Sequence, residues 1–179
     1  MGHNQRMDKQ HKLPPAAYQG PDRLDRVLGV LTLVLLAGGL LAVARGMPQW
    51  AMVRWTVWLH LAPALLALAL TPALLWRRRG DARHRLLGKI WVATMALTAG
   101  SSLLVQEIRP GHYSPIHLLS IFTLANLPVV VISARRGNLV RHRQTLRGII
   151  IGGLVIAGGF TFAFHRLLAQ WLDLGLGIG

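Results

Sequence analysis

Apolar and polar positions fall in long alternating blocks along this chain. Five apolar runs, roughly 27–44, 55–76, 88–105, 114–134 and 148–165, are separated by short polar or basic connections. A membrane-spanning helix needs about 20 mostly apolar residues. Four runs meet that length readily, and the fifth meets it with a Gly-rich composition. The pattern predicts an all-α integral membrane protein, a bundle of five transmembrane helices spread over residues 27–168. Residues 1–26 are polar and basic, with Pro14-Pro15 and Gly20-Pro21, and read as a flexible cytoplasmic tail. Such a segment has too little apolar surface to offset its ordering entropy. Residues 169–179 form a short C-terminal tail. Ala42-Val43-Ala44 resembles a signal-peptidase site, but a 26-residue polar leader is long for a secretory signal.

Two of the blocks repeat. Residues 78–90 (Arg-Arg-Gly-Asp-Ala-Arg-His-Arg-Leu-Leu-Gly-Lys-Ile) match residues 135–149 (Arg-Arg-Gly-Asn-Leu-Val-Arg-His-Arg-Gln-Thr-Leu-Arg-Gly-Ile) in kind and order. Each is a basic turn, then a His flanked by Arg, then a Gly opening an apolar run. His60 lies 18 residues before Arg78, and His117 lies 18 before Arg135. A proline recurs at nearly the same offset, Pro72 and Pro128. These coincidences predict two tandem related helical hairpins, about 55–105 and 114–165, with a His at each end of each copy.

Composition narrows the class. Hydrophobic residues make up 53% and charged residues only 15%, too few to cover the surface of a soluble domain. The net charge of +14 does not indicate nucleic acid, because the charges cluster between apolar runs. The chain has no cysteine, which excludes disulfides, thiolate-held metals and covalent haem attachment. Of the 20 Lys and Arg, 16 fall before run one, after run two or after run four. Positive loops stay cytoplasmic, so the N-terminus is expected inside and the C-terminus outside a bacterial inner membrane. Trp50, Trp55, Trp58, Tyr113 and Trp171 then belong near the outer interface, and Trp76 and Trp91 near the inner one. None of the six Asp and Glu falls inside an expected span.

Ionisable groups within a span are costly and face the bundle interior. His60 is placed about 8 Å below the outer boundary at about 1.5 Å per residue. Ser114, His117 and Ser120 share one face of run four, and Thr94, Thr98 and Ser101 share one face of run three, with Ser102 beside them. The expectation is a polar cavity in the outer half of the bilayer, centred on His60 and His117. His112, Glu107 and His165 stand at its rim. His84 and His142 fall at the cytoplasmic boundary, each between arginines. Arg85, Arg136 and Arg143 are expected to contact lipid phosphates or other anions there. Gly148, Gly152, Gly153, Gly158 and Gly159 favour close helix packing within the bundle over a dedicated dimer face.

Four His paired by depth and by repeat suit b-type haem, whose axial ligand is neutral imidazole held between facing helices. His60 with His117 outside, and His84 with His142 inside, would give two bis-His sites, the arrangement of a transmembrane redox protein. Inner arginines would pair with the propionates. The alternative is a non-enzymatic small-molecule transporter or accessory subunit with a His/Ser-lined cavity, small enough to need a homo-oligomer or a membrane partner. A metal site from His60, His112 and His117 lacks an i, i+4 His pair. Ser120 one turn from His117 is a weak match to a hydrolase, and no catalytic residue is assigned.

His-Arg-Leu-Leu-Gly-Lys-Ile-Trp-Val (84–92), Ser-Pro-Ile-His-Leu-Leu-Ser (114–120), Ala-Arg-Arg-Gly (134–137), and His-Arg (142–143) followed by Gly-Gly-Leu-Val-Ile-Ala-Gly (152–158) resemble a bacterial family of predicted membrane proteins, domain of unknown function 2306. The resemblance spans about residues 50 to 168 and marks His60, His84, Arg85, Gly88, Ser114, His117, Arg136, His142 and Arg143. Where the family pattern has Pro-Gly-Arg after the last Phe-Thr-Phe, this chain has Phe164-His165-Arg166, so His165 takes no role from it. The resemblance implies a multi-span membrane protein and supplies no activity.

Overall fold

The computed structural model describes residues 20–104, 116–162 and 167–172, and these form helices joined by short turns, with no strand among them. The first helix, α1 (Arg23–Arg45), leads through a 3-10 helix (Met47–Met52) into α2 (Trp55–Trp76). Next come α3 (Ala82–Ser102), α4 (Ile116–Arg135) and α5 (Leu139–Ile149). From α5 the chain continues through a π-helical stretch (Ile150–Ile156) into α6 (Ala157–Thr161), one unbroken rod. A short α7 (Leu167–Trp171) follows.

The tail expected over residues 1–26 is corrected at its end, because α1 starts at Arg23. Asp22 is its N-cap: the Asp25 N–H donates to the Asp22 carboxylate at 2.9 Å, and the Asp22 N–H donates back to Asp25 at 3.4 Å. This reciprocal capping satisfies two of the helix's orphan donors. Asp25 therefore lies in the first turn of a helix that was expected to hold no acid.

Among the described residues four helices are long and apolar enough to cross a membrane: Arg23–Arg45, Trp55–Trp76, His117–Arg135 and Leu139–Thr161. The expected count was five. The exception is α3, whose 21 residues suffice in length but whose hydropathy is diluted by Arg83, Arg85 and Lys89 at one end and by hydroxyls at the other. Three of its four hydroxyls are satisfied locally. Thr94 donates to the Trp91 carbonyl at 2.9 Å, Ser101 to Thr98 at 3.1 Å and Ser102 to Ala99 at 2.8 Å.

Both α2–α3 and α4–α5 connections use the same device. Gly80 and Gly137 adopt φ of +86° and +69°, a region open to glycine but strained for other residues. The next residue then caps the following helix: Asp81 accepts the His84 N–H at 2.6 Å, and Asn138 accepts the Arg141 N–H at 3.0 Å.

In the packing, α2 lies between α1 and α3, α3 against α4, and α4 against α5 and the π-helical stretch, which returns to touch α1 and α2. The core holds Trp91, Leu75, Met95, Ile149 and Ile150. Large apolar side chains such as Val34, Leu118 and Val27 point outward, as a lipid-facing surface requires. The expected glycine face is turned into the bundle. A Cβ on Gly152 would stand 3.6 Å from the Phe122 ring, and one on Gly153 would meet Thr123 Oγ1 at 2.7 Å, so α4 and the π-helical stretch approach closely there. Trp91 is turned into the bundle: it is 1% exposed, and its indole N–H donates to Thr71 Oγ1 at 2.9 Å. At the other end, Trp58 packs edge-on against Trp50 (5.3 Å) and near Trp171 (6.4 Å), while Trp55 stays exposed.

Candidate functional site

The outer polar residues assemble from three helices. On α2, His60 points its Nδ1–H at the Thr98 carbonyl of α3, 2.9 Å away, with Ser101 Oγ 3.4 Å from the same nitrogen. A carbonyl can only accept, so the neutral ring carries its proton on Nδ1 and its lone pair on Nε2. The seam between α3 and α4 is closed by a hydroxyl pair, Ser102 Oγ to Ser120 Oγ at 2.5 Å. One turn from Ser120, His117 is 4% exposed. Thr98 Oγ1 and Thr123 Oγ1 are buried in this region without a hydrogen-bond partner among the described residues. His60, Thr98 and Ser101 thus form one polar contact and Ser102 and Ser120 a second, with His117 buried one turn from Ser120. Ser114, His112, Glu107, Tyr113 and His165 lie outside the described residues.

At the opposite end stand His84, near the start of α3, and His142, in α5; the charge of His142 reaches His84. His142 donates its Nδ1–H to the Val130 carbonyl of α4 at 3.0 Å, the same anchoring that His60 shows. The Nδ1 of His84 is buried with no hydrogen-bond partner among the described residues.

Around this pair the arginines divide. Arg85 is exposed and donates to the carbonyl of its own turn, Gly80, at 2.6 Å. Arg136 is exposed. Arg143, expected to contact lipid or another anion, finds its anion within the protein, pairing with Asp25 at 2.7 Å and Asp22 at 2.8 Å. Arg147 joins it, donating to Asp25 Oδ1 through Nε (2.9 Å) and Nη2 (2.7 Å) and to Asp22 at 2.5 Å. Arg79, from the α2–α3 turn, completes the set on Asp25. The Asp25 side chain is fully buried by these partners, and the Trp76 indole donates to its backbone carbonyl at 3.3 Å.

Sequence reading missed this cluster. Its signal was present, since Asp22-x-x-Asp25 directly before an apolar run is the spacing of a capped helix start. Partial burial works to raise the Asp22 pKa, but hydrogen bonds from Arg147 and the Asp25 N–H, with the charges of Arg143 and Arg147, bring it down from 3.8 to about 2. Asp81 is also held below the ordinary carboxylate range, by the His84 N–H and then by Arg77. Among the described residues no group of three or more His and carboxylates is placed to hold a metal ion.

The fold and these two clusters define a class: the described residues form a helical bundle with four helices able to cross a membrane and polar side chains gathered at both ends. No family model, curated protein or solved structure matches the chain.

Proposed function

We propose that this chain is a small transmembrane redox protein of the b-haem type, with His60 and His117 as the outer ligand pair and His84 and His142 as the inner pair. The observation that carries the reading is the distribution of the four histidines. One sits on each of α2, α3, α4 and α5, and each pair comes from helices that are not packed neighbours in the series, α2 with α4 and α3 with α5. Pairs facing across a helical bundle are how bundles hold cofactors. The donor chemistry fits. The Thr98 and Val130 carbonyls orient His60 and His142 with the lone pair on Nε2, the outer-shell anchoring that ligating imidazoles need. When bound, haem would supply a one-electron carrier at each level. Trp91 and Met95, each 1% exposed, fill the core and exclude water from it.

In this reading α3 is a fifth span, tolerated at lower hydropathy because it lies between α2 and α4. The shared glycine turns and caps of the α2–α3 and α4–α5 connections support two tandem related hairpins. With the basic turns cytoplasmic in a bacterial inner membrane, the N-terminus is inside, the C-terminus is outside, and exposed Arg85 and Arg136 meet anionic headgroups.

Oxidised and reduced visible spectra of the protein purified in mild detergent, with metal analysis on the same sample, test the proposal. Sharp reduced bands are expected. His60→Ala and His117→Ala should bleach one component, and His84→Ala and His142→Ala the other. A colourless, iron-free protein from haem-replete cells overturns it. One observation favours a second reading, a non-enzymatic transporter or accessory subunit: the Ser102–Ser120 contact joins α3 to α4 at the level of the outer pair. That reading expects a colourless protein with the same fold.

A further inference from the structure

We infer that Asp25 is a positioning residue for the inner histidine pair, fixing the charge beside it; the inference rests on the haem reading above. Asp25 is the single fully buried carboxylate among the described residues, and it gathers guanidiniums from both repeat blocks: Arg79 from the α2–α3 turn, Arg143 and Arg147 from α5. Arg143 flanks an inner histidine in the chain, as Arg83, Arg85 and Arg141 also do. Arg143 follows His142 directly, and Arg79 acts electrostatically on His84. Asp25 thus ties α1, which carries no histidine, to the two segments that carry His84 and His142.

The arrangement has a defined charge balance. Three guanidiniums face two carboxylates, Asp25 and Asp22, which leaves one positive charge in excess. Partial burial makes each charge felt more strongly than it would be in water. The extra electron of a reduced inner site would sit in this positive field and be held by it. Removing Asp25's charge strengthens that field, and removing an arginine weakens it. The outer pair stands across the bundle from the cluster and should feel little of either change.

The test is a redox titration of the detergent-purified holoprotein, with inner and outer components assigned by the four His→Ala variants. Asp25→Asn is expected to raise the inner midpoint potential and leave the outer one in place. Arg147→Gln is expected to lower the inner midpoint, and it keeps the test open if Asp25→Asn does not fold. A purely structural Asp25 would give shifts of one sign in both variants, or shifts at both sites, and either result overturns the inference. Unmoved midpoints also overturn it while leaving the haem reading intact. A wild type with no haem bands removes the haem reading itself, and this inference with it.

Discussion

Asp25 and Arg147 are 122 residues apart in sequence and joined by two hydrogen bonds to one oxygen, Arg147 Nε at 2.9 Å and Nη2 at 2.7 Å from Asp25 Oδ1. The bond ties the first turn of α1 to α5. With Arg79 and Arg143 on the other oxygen, it makes this end of the bundle a closed electrostatic knot.

Breaking that knot from its centre should be costly. Asp25→Ala removes the partner of three guanidiniums whose side chains are at most 19% exposed. Removing one partner of a buried ion pair typically costs about 3–5 kcal/mol, because the remaining charge is left uncompensated. Thermal unfolding in detergent should show Asp25→Ala as far more damaging than Asp81→Ala. The Asp81–Arg77 pair is substantially exposed, with side-chain exposures of 40% and 35%. Equal losses at the two sites would mean that Asp25 contributes only as a helix cap.

The same cluster predicts an acid limb. Asp22 has a folded pKa of about 2 against an ordinary value of 3.8. A depressed carboxylate stabilises the fold above its unfolded pKa, and that stabilisation is lost as pH falls through the folded pKa. Stability should therefore fall between about pH 4 and pH 2 as Asp22 takes up its proton. Asp22→Asn should be less stable at neutral pH and show a shallower loss over that window. An acid limb unchanged in this variant would assign the titration elsewhere.

Glycine positions offer a packing test. A Cβ at Gly153 would stand 2.7 Å from Thr123 Oγ1 and 3.2 Å from Met95 Cε, whereas one at Gly100 would meet nothing within 4 Å. Gly153→Ala should cost about 1–3 kcal/mol by forcing the π-helical stretch away from α4 and α3. Gly100→Ala, in a helix interior, should be neutral or stabilising by up to about 1 kcal/mol. Chemical denaturation in mixed micelles reads both. A tolerated Gly153→Ala would show that the π-helical stretch relaxes to make room.

How much of this was legible in the sequence follows from what kind of signal each part leaves. The helices and their turns were legible because apolar run length and Arg-Arg-Gly-Asx punctuation are local. His60, Ser101, Ser102, Ser120 and His117 were grouped from depth alone, and hydrogen bonds now link His60 to Ser101 and Ser102 to Ser120. Depth could not distinguish Trp91 from Trp76. The two have the same chemistry near the same boundary, but Trp91 faces Thr71 across a helix interface. Asp25 was lost for a different reason. An acid in a basic leader reads as solvated until the fold brings Arg79, Arg143 and Arg147 to it, and no one-dimensional pattern records that convergence. The start of α1 was misplaced with it, because apolarity begins at Val27 while the cap sits at Asp22.

The Ser102–Ser120 pair supplies the last test and bears on the choice between the two functional readings. Each hydroxyl can donate once, and Ser102 also has the Ala99 carbonyl at 2.8 Å. Ser120→Ala therefore leaves Ser102 satisfied within its own helix. It should cost only about 0.6 kcal/mol, the average for hydrogen bonds between membrane helices. Ser120→Val should cost more, because the added methyl groups must part α3 from α4 at a site only 9% exposed. Under the haem reading, that parting should perturb the reduced bands assigned to His60 and His117 and leave those of His84 and His142 unchanged. A change confined to the inner component would show that the assignment of pairs to levels is reversed. Unchanged spectra alongside a measured loss of stability would place the hydroxyl seam outside the cofactor's reach.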